Sequence, residues 1–151
     1  MPDVGVPGPL EEALTTELRA RLDAYTSHMA NMEVRKSAQE LRAIWVAGNE
    51  YLQAAAPWST IKTDEAQAAM QIRVGLNLIA FYAALAAPFL PDTAEALGNT
   101  LGIDVFAWPS DVAHALQVLN AGHAFTVPEN LFAKIDDDAR AAWEERFSGT
   151  R

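Results

Sequence analysis

Between Val34 and Ala55, the residues Val34, Ala38, Leu41, Trp45, Gly48, Leu52 and Ala55 are spaced four, three, four, three, four and three apart. Such spacing gathers small and apolar side chains on one side of an α-helix, as a near-heptad seam for a second helix. Pro57 then closes the segment, because a proline ring has no N–H and clashes with the preceding turn. A chain organised around such a seam must pack helix on helix. Alanine reinforces this, supplying 29 of 151 residues, while runs of Val and Ile are scarce.

Residues 1–9 hold three prolines and two glycines and read as an irregular lead-in to a single helical domain over 10–151. Leu14, Leu18, Leu22 and Tyr25 predict a first helix from Leu10 to about Met32, with Glu11 and Glu12 suited to the dipole of its first turn. The seam predicts a second helix over Glu33–Ala56, followed by Pro57–Thr60 as a connector. A third helix is expected from about Thr63 to Ala86, with Ile72, Leu76, Ile79 and Leu85 on its apolar face. A fourth runs from Pro91 to Leu101 and stops at Gly102; a short one, capped by Ser110 or Asp111, reaches about Leu119. Phe125–Leu131 reads as a short extended piece and Asp136–Phe147 as a last helix. The fold class is all-α, an antiparallel helical bundle with short connections.

Cysteine is absent, which excludes disulfides, thiolate catalysis and Cys-based zinc sites. No run of 18 apolar residues predicts a membrane span, and the first residues lack the basic and apolar regions of a signal peptide, so the expected location is cytoplasmic. The net charge of −9 opposes general nucleic-acid or anionic-membrane binding. The distribution weakens that objection. Six acids face two bases between Glu129 and Glu145, whereas five bases face four acids between Val34 and Arg73. His28, His114 and His123 do not share a helix face at metal-ligand spacing, and Asp136–Asp138 lacks the alternating ligands and glycine of a calcium loop. Phosphate-loop, nucleophile-elbow and zincin motifs are absent, so no catalytic residue, metal or cofactor is assigned to this chain.

One stretch stands out. Arg35, Arg42 and Asn49 are seven residues apart, a stripe that drifts only about 20° per heptad. It runs, with Gln53 and Tyr51 on the last turns, toward Pro57, Trp58 and Lys62. A ring beside cations and amides suits single-stranded RNA: bases stack on the aromatic, cations meet phosphates and amides read base edges. Pattern alone also allows a plainer reading, in which Trp58 plugs a helix junction and the stripe is a solvated edge. Trp45 lies in the seam and is expected in the core; Trp108 and Trp143 carry no spacing argument.

The run Asn49-Glu-Tyr51-Leu-Gln-Ala-Ala-Ala-Pro57-Trp58-Ser-Thr-Ile-Lys62 resembles the N-R-Y-x-x-x-x-x-P-W-x-x-x-K pattern of methionyl-tRNA synthetase anticodon-binding domains. Leu85-Ala-Ala-Pro88-Phe-Leu-Pro91-Asp-Thr-Ala is similar to that family's L-x-P-F-L-P-x-T-A turn, and Leu131-Phe-Ala-Lys134-Ile135 to its L-F-x-K-I segment. The resemblance covers residues 10–138 in family order. It implies a helical bundle of the class I aminoacyl-tRNA synthetase anticodon-binding type, which recognises the CAU anticodon of methionine-accepting tRNA. The implied stacking platform is Trp58, shaped by Pro57, with Asn49 and Lys62 at pattern positions; Arg42 and Arg35 complete the candidate RNA-binding set. The implied partners are tRNA and the catalytic domain of a parent enzyme that charges tRNA with ATP and methionine. The H-I-G-H and K-M-S-K-S motifs of that catalytic domain are not in this sequence, so the expected role is recognition, not bond making. Glu50 stands where the family pattern has Arg, and no counterpart of the family's first anticodon-domain helix precedes Pro2. The chain therefore reads as an excised piece or a natural truncated paralogue, with self-association through an uncovered seam as a further expectation. The alternative is a helical interaction or structural module that has lost RNA binding.

Overall fold

A computed structural model describes residues 5–127 and 130–149. Three long helices carry the fold: α1 (Pro9–Ala30), α2 (Val34–Ala55) and α4 (Glu65–Ala86), with the single-turn α3 (Pro57–Thr60) between the last two. α5 (Pro91–Leu101), the short α6 (Val112–Ala115) and α7 (Asp137–Phe147) follow, and no strand occurs among the described residues.

Two of the long helices end where a residue turns left-handed: Met32 at φ 56 between α1 and α2, and Ala56 at φ 44 before α3. The resulting pairs run antiparallel. Glu11 meets Tyr51 and Arg21 meets Glu40, so α1 and α2 count in opposite directions. Likewise Gly48 of α2 lies against Leu78 and Tyr82 of α4, while Leu52 lies against Gly75. Gly48 is required here: a Cβ would sit 1.5 Å from the Tyr82 hydroxyl. The main core gathers Leu14, Leu18, Leu22 and Tyr25 of α1, Leu41, Ile44 and Tyr51 of α2, and Leu78, Phe81 and Leu85 of α4. Smaller clusters fasten α5 and its following loop onto α4 through Ala80, Leu101 and Leu119, and through Ala83, Ala94 and Val105.

Buried polar side chains hold the chain between these packed faces. Tyr25 donates to the Leu85 carbonyl at 2.8 Å and stacks on Trp108 with centroids 5.5 Å apart. Asn77, fully buried on α4, accepts from the Leu119 N–H at 2.7 Å and donates to the Leu119 carbonyl at 3.1 Å. These two hydrogen bonds secure the end of the α6 segment to the middle of α4.

Several expectations shift. Pro57–Thr60 is a helical turn rather than a connector, and the 110–119 helix shortens to Val112–Ala115 because Leu119 bonds to Asn77 instead of to its own helix. No ladder forms at the expected extended piece; residues 125–127 and 130–131 are irregular, while 128 and 129 lie outside the described residues. On α2 the buried line is Ser37, Leu41, Ile44, Gly48, Tyr51 and Ala55, so Ile44 takes the place expected of Trp45, which packs half-buried at the rim. Val34 is exposed. On α4 the expected face is also rotated, leaving Ile72 and Ile79 exposed while Met70, Leu78 and Phe81 are buried. α4 is long and apolar enough to cross a membrane, with mean hydropathy 1.4, yet it is the central packing helix here, touching α2, α3, α5 and α6. α7 buries none of its residues, although Asp136 caps it by accepting from the Ala139 N–H at 2.8 Å.

Candidate nucleic-acid interface

The candidate interface begins where α2 stops. A residue before proline is disfavoured in the right-handed helical region. Ala56 accordingly turns left-handed (φ 44, ψ 55), and Pro57 starts α3 at the one helical position where its missing N–H is harmless. The new turn is tied throughout. Ser59 and Thr60 donate to the Ala56 carbonyl at 2.8 and 3.0 Å, and Ile61 donates to the Pro57 carbonyl at 3.0 Å. The Thr60 hydroxyl reaches back to the Ala55 carbonyl at 3.0 Å. Pro57 is buried, and α3 packs on α4.

With its inner side fixed, this turn presents its outer side to solvent. Trp58 is 55% exposed, so it is not a plug. Lys62, Asn49, Arg42 and Arg35 are also exposed. Arg35, Arg42 and Asn49 follow one edge of α2, successive members about 10 Å apart by helical rise. Among the described residues, Arg35, Arg42 and Lys62 form no ion pair, in contrast to Arg21 with Glu17 and Glu40, Lys36 with Glu33, and Arg140 with Glu144. A long exposed cation without an acid neighbour is available to a phosphate.

Tyr51 does not join this surface. It points to the opposite side of α2, is 3% exposed, and donates to Glu11 Oε1 at 2.8 Å. Burial, assisted by the Glu11 carboxyl, pushes its hydroxyl far above the ordinary tyrosine range. Glu11 also accepts from the Gly8 N–H at 2.7 Å, so it links the start of α1 to the end of α2. The sequence suggested a dipole role for Glu11; only the pairing of the two helices reveals the Tyr51 contact. Asn49 borders an apolar groove of about 360 Å³ formed with Trp45, Tyr82, Leu97, Leu131 and Phe132. Glu50 is exposed directly after Asn49, about 100° around the helix from that edge. The sequence reading also passed over Ile61, which is 51% exposed three residues after Trp58. Its signal was the i,i+3 spacing from the tryptophan.

The sequence profile of the family described as "Anticodon binding domain of methionyl tRNA ligase" matches residues 1–151. The chain is 60% identical to the methionine–tRNA ligase of Ruegeria sp. (strain TM1040) over 151 residues, which is all of this chain and 26% of that protein. It is 61% identical to the corresponding ligase of Dinoroseobacter shibae and 58% identical to that of Ruegeria pomeroyi, with the same coverage. The chain thus spans about a quarter of the length of these relatives and corresponds to their C-terminal part.

Proposed function

Because the chain belongs to the anticodon-binding domain family of methionyl tRNA ligases, we propose that it recognises the CAU anticodon loop of methionine-accepting tRNA. A loop base stacks on Trp58; Pro57 sets the ring's position; Arg35, Arg42 and Lys62 meet phosphates; Asn49 reads a base edge. The observation that carries this reading is the exposed Trp58 on a tied turn, followed by the exposed Lys62. Stacking on one ring contributes about 1–3 kcal/mol, and charge-assisted contacts add to it.

In the whole protein, recognition here supports ATP-dependent methionylation of tRNA in the cytoplasm. We assign the binding of ATP and methionine to the part of such a protein that lies outside this chain. Separated from that part, a single helical domain over residues 10–151 self-associates through the exposed Ile72 and Ile79, seven residues apart on one face of α4.

A low-salt titration with a CAU anticodon stem-loop tests the reading, with a scrambled loop and Trp58→Ala as controls. Preference for CAU that falls roughly tenfold or more with Trp58→Ala supports it. Equal binding of both loops, or indifference to Trp58, overturns it and favours a module that has lost RNA binding.

A further inference from the structure

Trp58 shares its side of the turn with a second exposed apolar residue. Ile61 has helical backbone angles (φ −56, ψ −22), and its N–H bonds the Pro57 carbonyl, so it lies one turn on from Trp58. Residues three apart on a helix have Cβ atoms about 5–6 Å apart. Trp58 and Ile61 are 55% and 51% exposed, and Lys62 follows directly.

We propose that Ile61 is a second base-contacting position, so that Trp58 and Ile61 together take two successive unstacked bases of the loop while Lys62 meets the phosphate joining them. The proposal rests on the anticodon-loop reading above. A patch of two side chains is far too small for a stable protein interface, which buries about 800 Å² per partner. It does match a single strand, whose splayed bases offer flat apolar faces in sequence along a charged backbone. The tied backbone fixes where both side chains leave the turn before binding, so little backbone ordering entropy opposes the contact. An isoleucine offers a base no hydrogen bond. Ile61 therefore contributes affinity at its position without distinguishing one base from another.

Double-mutant cycles on the whole chain test this. The stem-loop is prepared intact and with an abasic nucleotide at each anticodon position in turn, and each loop is titrated with the unmodified chain, Trp58→Ala and Ile61→Ala. On the intact loop, Ile61→Ala is expected to weaken binding roughly three- to tenfold. That loss should vanish on one abasic loop only, adjacent in sequence to the one on which the Trp58→Ala loss vanishes. Ile61→Leu, which keeps an apolar surface, should bind as the unmodified chain does. Both side chains are exposed, and unchanged circular dichroism checks the fold. Coupling of Ile61 to the same base as Trp58, to every base equally, or to none overturns the proposal while leaving Trp58 recognition intact. If the unmodified chain shows no preference for CAU, the anticodon reading itself fails and this inference fails with it.

Discussion

The chain's three tyrosines are all on long helices, and their hydroxyls meet three different fates. Tyr25 donates to the Leu85 carbonyl, Tyr51 donates to Glu11, and the Tyr82 hydroxyl is buried against Gly48 without a hydrogen-bond partner among the described residues. Phenylalanine substitutions should therefore separate. Tyr25→Phe orphans a buried carbonyl and Tyr51→Phe removes a partner of a buried carboxyl, so each should cost about 1–3 kcal/mol. Tyr82→Phe removes a polar atom that gains nothing from burial, and should leave stability unchanged or raise it by up to about 1 kcal/mol. Urea melts of the three variants check the order. Burial also pushes Tyr25 and Tyr82 up to about 12 from an ordinary value of 10. A raised value means that the unfolded chain loses these protons first. Their contribution to stability is thus complete below pH 10 and is lost as pH rises from 10 toward 12. Melts between pH 8 and 11 should show an alkaline decline that is shallower in Tyr82→Phe.

At the scale of elements, α4 owes its central place to what it ties down as well as to its apolar surface. Asn77→Leu fits a helix but leaves both the N–H and the carbonyl of Leu119 without their partner; it should cost about 2–4 kcal/mol, read as a fall in melting temperature. The sequence exposed the elements better than their rotation. The existence of α1, α2, α4, α5 and α7 follows from apolar periodicity and from Pro57, Pro91 and Gly102, and their ends fall within two residues of expectation. Periodicity located the faces less well. Large side chains suggested Trp45, Ile72 and Ile79 for the interior, yet close approach of α2 to α4 is set by the small Gly48 and Gly75, which turn Ile44, Leu78 and Phe81 inward. Asn77 gave no sign of its role, because its partner is a backbone group 42 residues away. Trp58 was legible as a candidate from Pro57 and the cationic stripe, but whether its ring was buried or exposed depended on α3 packing through Pro57 instead of through the ring.

For the whole molecule, a charge of −9 and the proposed RNA-facing edge are compatible because cations away from that edge, such as Arg21 and Arg140, are already paired with acids. If Arg35, Arg42 and Lys62 each neutralise one phosphate, the logarithm of affinity should fall with the logarithm of salt at a slope of about −2. Lys62→Ala should reduce that slope by about 0.7, a change measurable by repeating the titration between 50 and 200 mM salt. Asn77 has a consequence at this scale too. Its bonds to Leu119 close a loop that contains all of α5 and α6. The Leu119 amide proton is then held by a side chain on the far side of that loop, and reaches solvent only when the loop lifts from α4. In native-state hydrogen exchange it should keep time with the amides of α5, so that one proton outside any helix marks the opening of a cooperative unit distinct from the α1–α2 pair.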